Sequence, residues 1–167
     1  LPKAVAVLDP KRKDCRYPYK ELSGCGVGFK LCQGLNAIYK IPESELFELT
    51  DLLAISIASD IVAMTGENRV LAKQGLKFLR KTRKFGLRLL IPEEKLAHFE
   101  ISNIVFDIAP KINAAGRISH AKASVELMIS DNLKQAHQIV NEIVNLNDER
   151  REMDINITQS ALNQVLE

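Results

Sequence analysis

A carboxylate stands where an apolar run ends. Leu52-Leu53-Ala54-Ile55-Ser56-Ile57-Ala58-Ser59 leads into Asp60, and Val62-Ala63-Met64-Thr65-Gly66-Glu67-Asn68-Arg69 comes shortly after. If the run is a buried helix, the negative end of its dipole lies beside Asp60, and both that end and the burial disfavour a bare negative charge. The carboxylate then needs a compensating partner: a metal ion, a basic side chain or backbone N–H groups. Two readings stay open on spacing alone. Asp60 is a ligand, or it caps the next helical turn, a position for which Asp is a preferred residue.

A basic stripe lies close behind. Arg69, Lys73, Lys77, Lys81 and Lys84 recur at steps of three or four and so share one helix face, with Arg80, Arg83 and Arg88 beside it. No acid occurs between Glu67 and Glu93. Like charges at i, i+4 destabilise an isolated helix, so a row without interleaved acids points to a polyanionic partner, or to acids supplied from elsewhere in the fold. Few aromatics accompany the stripe, so base stacking would have to come from another place.

Ala109-Pro110-Lys111-Ile112-Asn113-Ala114-Ala115-Gly116-Arg117 offers small residues that admit close backbone approach. Within it are an amide at Asn113, a point charge at Lys111 and a planar fork at Arg117 suited to phosphate. The alternative is a tight loop with Arg117 paired to a neighbour. The glycines of Gly24-Cys25-Gly26-Val27-Gly28, with Gly34, imply that something comes close to the backbone, either a phosphate at a helix start or, the favoured reading, another element packed tightly. Their spacing is not the dinucleotide fingerprint. His98, His120 and His137 make no metal-ligand spacing with each other or with Cys15, Cys25 and Cys32, which read as reduced thiols of a cytosolic protein.

The elements that must position these residues follow from the pattern. The chain has 167 residues, 46% hydrophobic and 26% charged, enough for one domain or part of one with a real core. The net charge of +2 carries no information about partners by itself. No apolar stretch is long enough for a bilayer. Ala4-Val5-Ala6-Val7-Leu8 predicts one buried strand, parallel to neighbours outside the sequence. Helices are predicted from Lys20 to Tyr39, on the apolar spacing Val27, Leu31, Leu35 and Ile38, from Pro42 toward Asp60, from Thr65 to about Lys84 and from Ala121 to Ile129. A last, long helix runs from Leu133 to the end, on a stripe of Ala136, Ile139, Ile143, Leu146, Met153, Ile157 and Ala161. The start at Leu1-Pro2 and the stop inside an amphipathic pattern read as a piece cut from a longer protein.

Taken in order, these blocks resemble the RecJ family of single-strand-specific DNA exonucleases, which are DHH phosphoesterases. The blocks are Leu8-Asp9-Pro10-Lys11, Tyr17-Pro18-Tyr19-Lys20-Glu21-Leu22, Gly24 to Leu31, Ser59-Asp60, Gly66-Glu67-Asn68-Arg69, Pro110 to Arg117 and Leu146 to Arg150. The resemblance covers most of the chain and implies an α/β parent fold, the DHH domain, with a parallel sheet and flanking helices. The present piece would be mostly α-helical, with one N-terminal strand and a long C-terminal helix. Residues 1–130 would be the C-terminal half of the DHH catalytic domain. Residues 131–167 would be the helix connecting it to a substrate-binding domain.

The resemblance also implies chemistry. Asp60 matches an aspartate that ligates a pair of Mn²⁺ or Mg²⁺ ions, for which an oxygen ligand is suited. The other ligands of that two-metal site are absent, since neither Asp-His-His nor Asp-x-Asp occurs here. Ser56 and Ile57 stand where the family often has Gly-Thr, and no role transfers to them. Single-stranded DNA is the implied partner, held by its phosphates through Arg69, Lys73, Lys77 and Lys81 and through Lys111, Asn113 and Arg117. The implied activity is 5′-to-3′ hydrolysis in cytoplasmic DNA repair and recombination, beside repair proteins of unknown identity, and the isolated chain is expected to be inactive. Two other readings remain: a DHH phosphodiesterase for short oligonucleotides or cyclic dinucleotides, and a non-catalytic DHH replication scaffold.

Overall fold

A computed structural model describes residues 2–60, 62–118 and 122–166, without the side chains of residues 117, 118 and 166. Nine α-helices are found among the described residues: α1 (Gly24–Tyr39), α2 (Glu43–Glu48), α3 (Thr50–Ser59), α4 (Gly66–Leu79), α5 (Phe85–Leu90), α6 (Ile101–Asn103), α7 (Ala109–Ile118), α8 (Lys122–Ile129) and α9 (Leu133–Leu166). The chain forms two compact units. One contains residues 1–82 and 97–105; the other contains residues 83–96 and 106–167.

The predicted strand is not present. No strand occurs among the described residues, and residues 2–9 carry no regular structure, with Val5 and Leu8 exposed. A strand satisfies its backbone groups only through a neighbour, and the described residues offer none.

In the first unit, α3 crosses α4 closely. A Cβ built on Gly75 would collide with the Thr50 carbonyl oxygen and lie 2.6 Å from the Ala54 Cβ, so glycine there is a condition of the crossing. Phe29, Leu53, Ile57 and Ala72 are buried together, with Leu46, Leu71 and Ile101 packed around them. The run that leads to Asp60 is thus a core helix: Leu53, Ala54, Ile55 and Ile57 are all buried. The helix predicted from Pro42 is divided at Leu49, which joins α2 to α3. On α1 the outcome inverts the expectation. Gly26 and Phe29 are buried, while Leu31, Leu35 and Ile38 on the predicted apolar face are exposed. Nothing lies within 4 Å of a Cβ at Gly24, Gly28 or Gly34, so close packing among the described residues does not account for these three glycines.

In the second unit, α9 packs on α5, α7 and α8. Gly86 of α5 lies directly against the Leu127 carbonyl of α8, with no room for a side chain. The first turns of α9 bury Ala136, Ile139 and Ile143, but Met153 and Ile157 further along the same stripe are exposed. The segment Pro110 to Arg117, for which a tight loop was the alternative, is instead the body of α7. A wider π turn at Ile104–Ile108 precedes it, just ahead of Pro110, where the missing N–H already interrupts the hydrogen-bond ladder.

Candidate functional site

Asp60 ends α3. Its backbone N–H donates to the Ser56 carbonyl at 2.9 Å, which closes the last turn. The helix is buried but Asp60 is exposed, so the burial half of the argument from the sequence does not apply, whereas the helix-dipole half does. Nor does Asp60 cap the next helix: Thr65 occupies the N-cap of α4 and makes no side-chain cap bond. The contact that the carboxylate makes is with a hydroxyl, the Ser56 Oγ, at 3.4 Å from Oδ2. Ser56 Oγ is also 3.1 Å from Ser23 Oγ, and Ser23 in turn accepts the Gly26 N–H at 3.1 Å as the N-cap of α1. The N-terminus of α1 therefore meets the C-terminus of α3 through two serines. The sequence reading assigned neither a role. A serine directly before a helix start was the available signal for Ser23.

The charge of Asp60 reaches Cys25 in the first turn of α1. Desolvation raises the Cys25 thiol above its ordinary value, and the Asp60 and Cys32 charges add to the effect. All three cysteines are free thiols.

Behind Asp60, the Gly66-Glu67-Asn68-Arg69 block is clamped to the segment preceding α1. Gly66 has φ +44°, and a Cβ there would lie 2.6 Å from the Tyr19 ring, so both backbone and space require glycine. The Tyr19 hydroxyl donates to the Thr65 carbonyl at 2.8 Å. The Tyr17 hydroxyl donates to Glu67 at 2.7 Å, and Lys30 of α1 pairs with the same carboxylate at 3.0 Å. Tyr17 is held above its ordinary pKa by desolvation and by the bond to Glu67. Lys30 is also raised, because its bonds to Glu67 and Tyr17 outweigh the desolvation that opposes its charge. Asn68 is fully buried and donates to the carbonyls of Glu21 at 2.6 Å and Ala63 at 2.9 Å. Two sequence blocks separated by dozens of residues are thus one structural feature, a link that their spacing does not reveal.

Of this block only Arg69 faces away. The inner face of α4 is Asn68, Ala72, Gly75 and Leu79, and this fixes the stripe one position along. Arg69, Lys73, Lys77 and Lys81 are exposed, and none has a carboxylate at ion-pair distance among the described residues, but α4 ends at Leu79 and not near Lys84, so only Arg69, Lys73 and Lys77 share its face, while Lys81 lies in the turn that follows and Lys84 beyond it. Lys81 lies over the Phe78 ring at 4.8 Å. Arg80 is drawn off to the Phe99 carbonyl, at 2.9 and 3.1 Å. Arg88 approaches Glu93 at 3.9 Å.

The remaining candidates lie on α7 in the second unit. Ala114 and Ala115 are buried, Lys111 is half-buried, and Asn113 and Gly116 are exposed, with open space at Gly116. The Arg117 side chain and His120 lie outside the described residues; His98 and His137 are exposed. No group of three or more His, Cys, Asp or Glu that could hold a metal ion occurs among the described residues. No helix there is long and apolar enough to cross a membrane.

No family model matches the chain. Among curated proteins, it is 39% identical over 170 residues to the single-stranded-DNA-specific exonuclease RecJ of Bacillus subtilis (strain 168), covering 99% of this chain and 20% of that protein. It is 32% identical over 177 residues to RecJ of Escherichia coli (strain K12), covering 97% of this chain and 30% of that protein. The structure superposes on exonuclease RecJ bound to manganese with a TM-score of 0.79 and 31% identity, over 89% of this chain and 38% of the other. It superposes on RecJ from Thermus thermophilus in complex with Mg²⁺ with a TM-score of 0.76 and 30% identity, over 90% and 23% of the two chains. By sequence and by fold, the chain is homologous to one segment of single-stranded-DNA-specific exonucleases. Those exonucleases are RecJ, and the chain spans between 20% and 30% of the length of these two curated relatives.

Proposed function

We propose that this chain is part of a metal-dependent exonuclease that degrades single-stranded DNA from the 5′ end in repair and recombination in the cytoplasm. Identity of 39% to a RecJ over nearly the whole chain carries this reading. The likeness to RecJ structures holding Mn²⁺ or Mg²⁺ supports the choice of cation. In this reading residues 1–130 are the later half of the DHH domain and residues 131–167 the helix leading to a substrate-binding domain.

Asp60 fits a hard divalent cation in kind, being an exposed carboxylate with an oxygen to offer. In number it is insufficient, so this chain contributes one ligand to a site completed elsewhere. When bound, Mn²⁺ or Mg²⁺ supplies activation of water and compensation of charge on the phosphate. Arg69, Lys73, Lys77 and Lys81 offer a row of cations to the backbone of the strand. Lys111, Asn113 and Arg117 add a second set of phosphate contacts from α7.

The test is made in the full-length protein. Asp60→Ala should reduce Mn²⁺-dependent degradation of single-stranded DNA to background with the fold intact, and the isolated 167-residue chain should degrade none. Neutralising Lys73, Lys77 and Lys81 together should lower the slope of log affinity against log salt by about 2, at roughly 0.7 per phosphate contact for a single strand. Wild-type turnover in Asp60→Ala removes Asp60 from the site, and an unchanged slope removes the stripe from the DNA path. Binding of the strand without turnover by the wild-type protein would favour the scaffold reading, and preference for cyclic dinucleotides would favour the phosphodiesterase.

A further inference from the structure

We propose that Phe47 is a stacking platform for one base of a single strand whose phosphates run along the basic face of α4. The inference deepens the reading of Arg69, Lys73 and Lys77 as phosphate contacts and rests on it for the path of the strand.

A row of cations holds a polyanion but does not grip its bases. Binding of single strands without sequence preference combines such a row with aromatic rings on which bases stack. The first unit has an exposed ring beside its row. Phe78 directly follows Lys77 on α4 and is half-buried. Phe47 of α2 lies against it, with ring centroids 6.4 Å apart and ring planes inclined by 21°. Both values suit an offset-stacked pair. Phe47 is the outer member, 37% exposed. Phe78 therefore sets the orientation of a ring that solvent still reaches.

Charge is arranged around the pair. Lys81, in the turn after α4, holds its Nζ 4.8 Å from the centroid of the Phe78 ring, close enough for the ring to attract the cation. Lys77 precedes Phe78, so two exposed cations and one exposed ring meet at the end of α4. The helix that carries Phe47 also carries Glu43, Glu45 and Glu48. These acids repel phosphate but not an uncharged base. The combination sorts the two halves of a nucleotide: phosphate toward Lys77 and Lys81, base toward Phe47. Every base has a π face, so the platform accepts any of them.

The test compares oligodeoxythymidylate with an abasic strand of equal length, bound to the full-length protein without divalent cation so that neither is degraded. Phe47→Leu keeps apolar packing on Phe78 and removes the aromatic face. It should weaken binding of oligodeoxythymidylate about fivefold, and Phe47→Ala about tenfold, as for the loss of one stacked base. Phe47→Trp should bind at least as tightly as the wild type. The abasic strand should bind Phe47→Leu and the wild type equally. The slope of log affinity against log salt should also stay unchanged in Phe47→Leu, because no phosphate contact is lost. Neutralising Lys73, Lys77 and Lys81 should instead weaken both strands and lower the slope.

Equal affinity of the wild type and Phe47→Leu for oligodeoxythymidylate overturns the proposal. So does an equal loss on the abasic strand, which marks a structural role for the ring. An unchanged slope in the lysine variant overturns the phosphate path instead. A loss in Phe47→Leu confined to the base-bearing strand then still supports the platform, on a strand held by other cations.

Discussion

Asn68 holds both ends of the clamp behind Asp60, and its removal has a calculable consequence. In Asn68→Ala the bonds to the Glu21 and Ala63 carbonyls vanish, at a net loss of about 1 kcal/mol each. Ala63 is exposed, so water replaces the donor there. Glu21 is half-buried, and stranding its carbonyl adds about 1 kcal/mol. In the other direction, Asn68 Oδ1 is buried without a partner among the described residues, and deleting it returns about 1 kcal/mol. Alanine also favours the helix by a few tenths. The expected destabilisation is about 2 kcal/mol. At a urea slope of about 2 kcal/mol/M, this lowers the midpoint by about 1 M. The chain has no tryptophan, and its three tyrosines, Tyr17, Tyr19 and Tyr39, all belong to the first unit, so tyrosine emission follows that unit alone. Asn68→Asp should cost more than Asn68→Ala at neutral pH, because it turns two donors into acceptors facing carbonyl oxygens and adds a buried charge. A loss below about 0.5 kcal/mol in both variants would refute the claim that these bonds anchor the segment after Asp60.

Two further outcomes follow from the titrating groups. Tyr17 and Lys30 both have folded-state pKa values raised above their ordinary ones. Their contribution is therefore whole below about pH 10 and is lost as pH climbs through the higher folded values. The gap in thermal midpoint between wild type and Glu67→Gln should shrink from about pH 10 upward, and a constant gap across the alkaline range would show that the cluster does not titrate with folding. The Cys25 thiol, raised by desolvation and by Asp60, should react with iodoacetamide at about pH 8 more slowly than a small peptide thiol, despite the exposure of the residue. Asp60→Asn should speed that reaction; an unchanged rate, read by peptide mass spectrometry, would place the Asp60 charge too far away to matter.

Much of the helical plan was legible in the sequence, because amphipathic period and start signals are local. Thr65 before α4, Glu43 and Glu45 in the first turn of α2 and the first half of the α9 stripe all behave as the pattern predicts. The exposed face of Arg69, Lys73 and Lys77 on α4 was legible for the same reason, since a face at steps of three and four is defined by helix geometry alone, but the end of the helix at Leu79, short of Lys81 and Lys84, was not. The order of the blocks from Leu8 to Arg150 identified the RecJ relationship, since it depends on residue identity and not on conformation. Tertiary structure decided the rest. A strand needs a partner for its backbone groups, so Ala4 to Leu8 could not become one from its own apolar content. An apolar face shows that a helix can be covered, not what covers it, and α1 accordingly leaves Leu31, Leu35 and Ile38 exposed. Whether Asp60 would be buried, capped or exposed depended on where α4 began and on which hydroxyl reached it. Ser23 and Ser56 lie 33 residues apart, and hydrogen bonds act over about 3 Å of space, a distance that the order of residues along a chain does not encode.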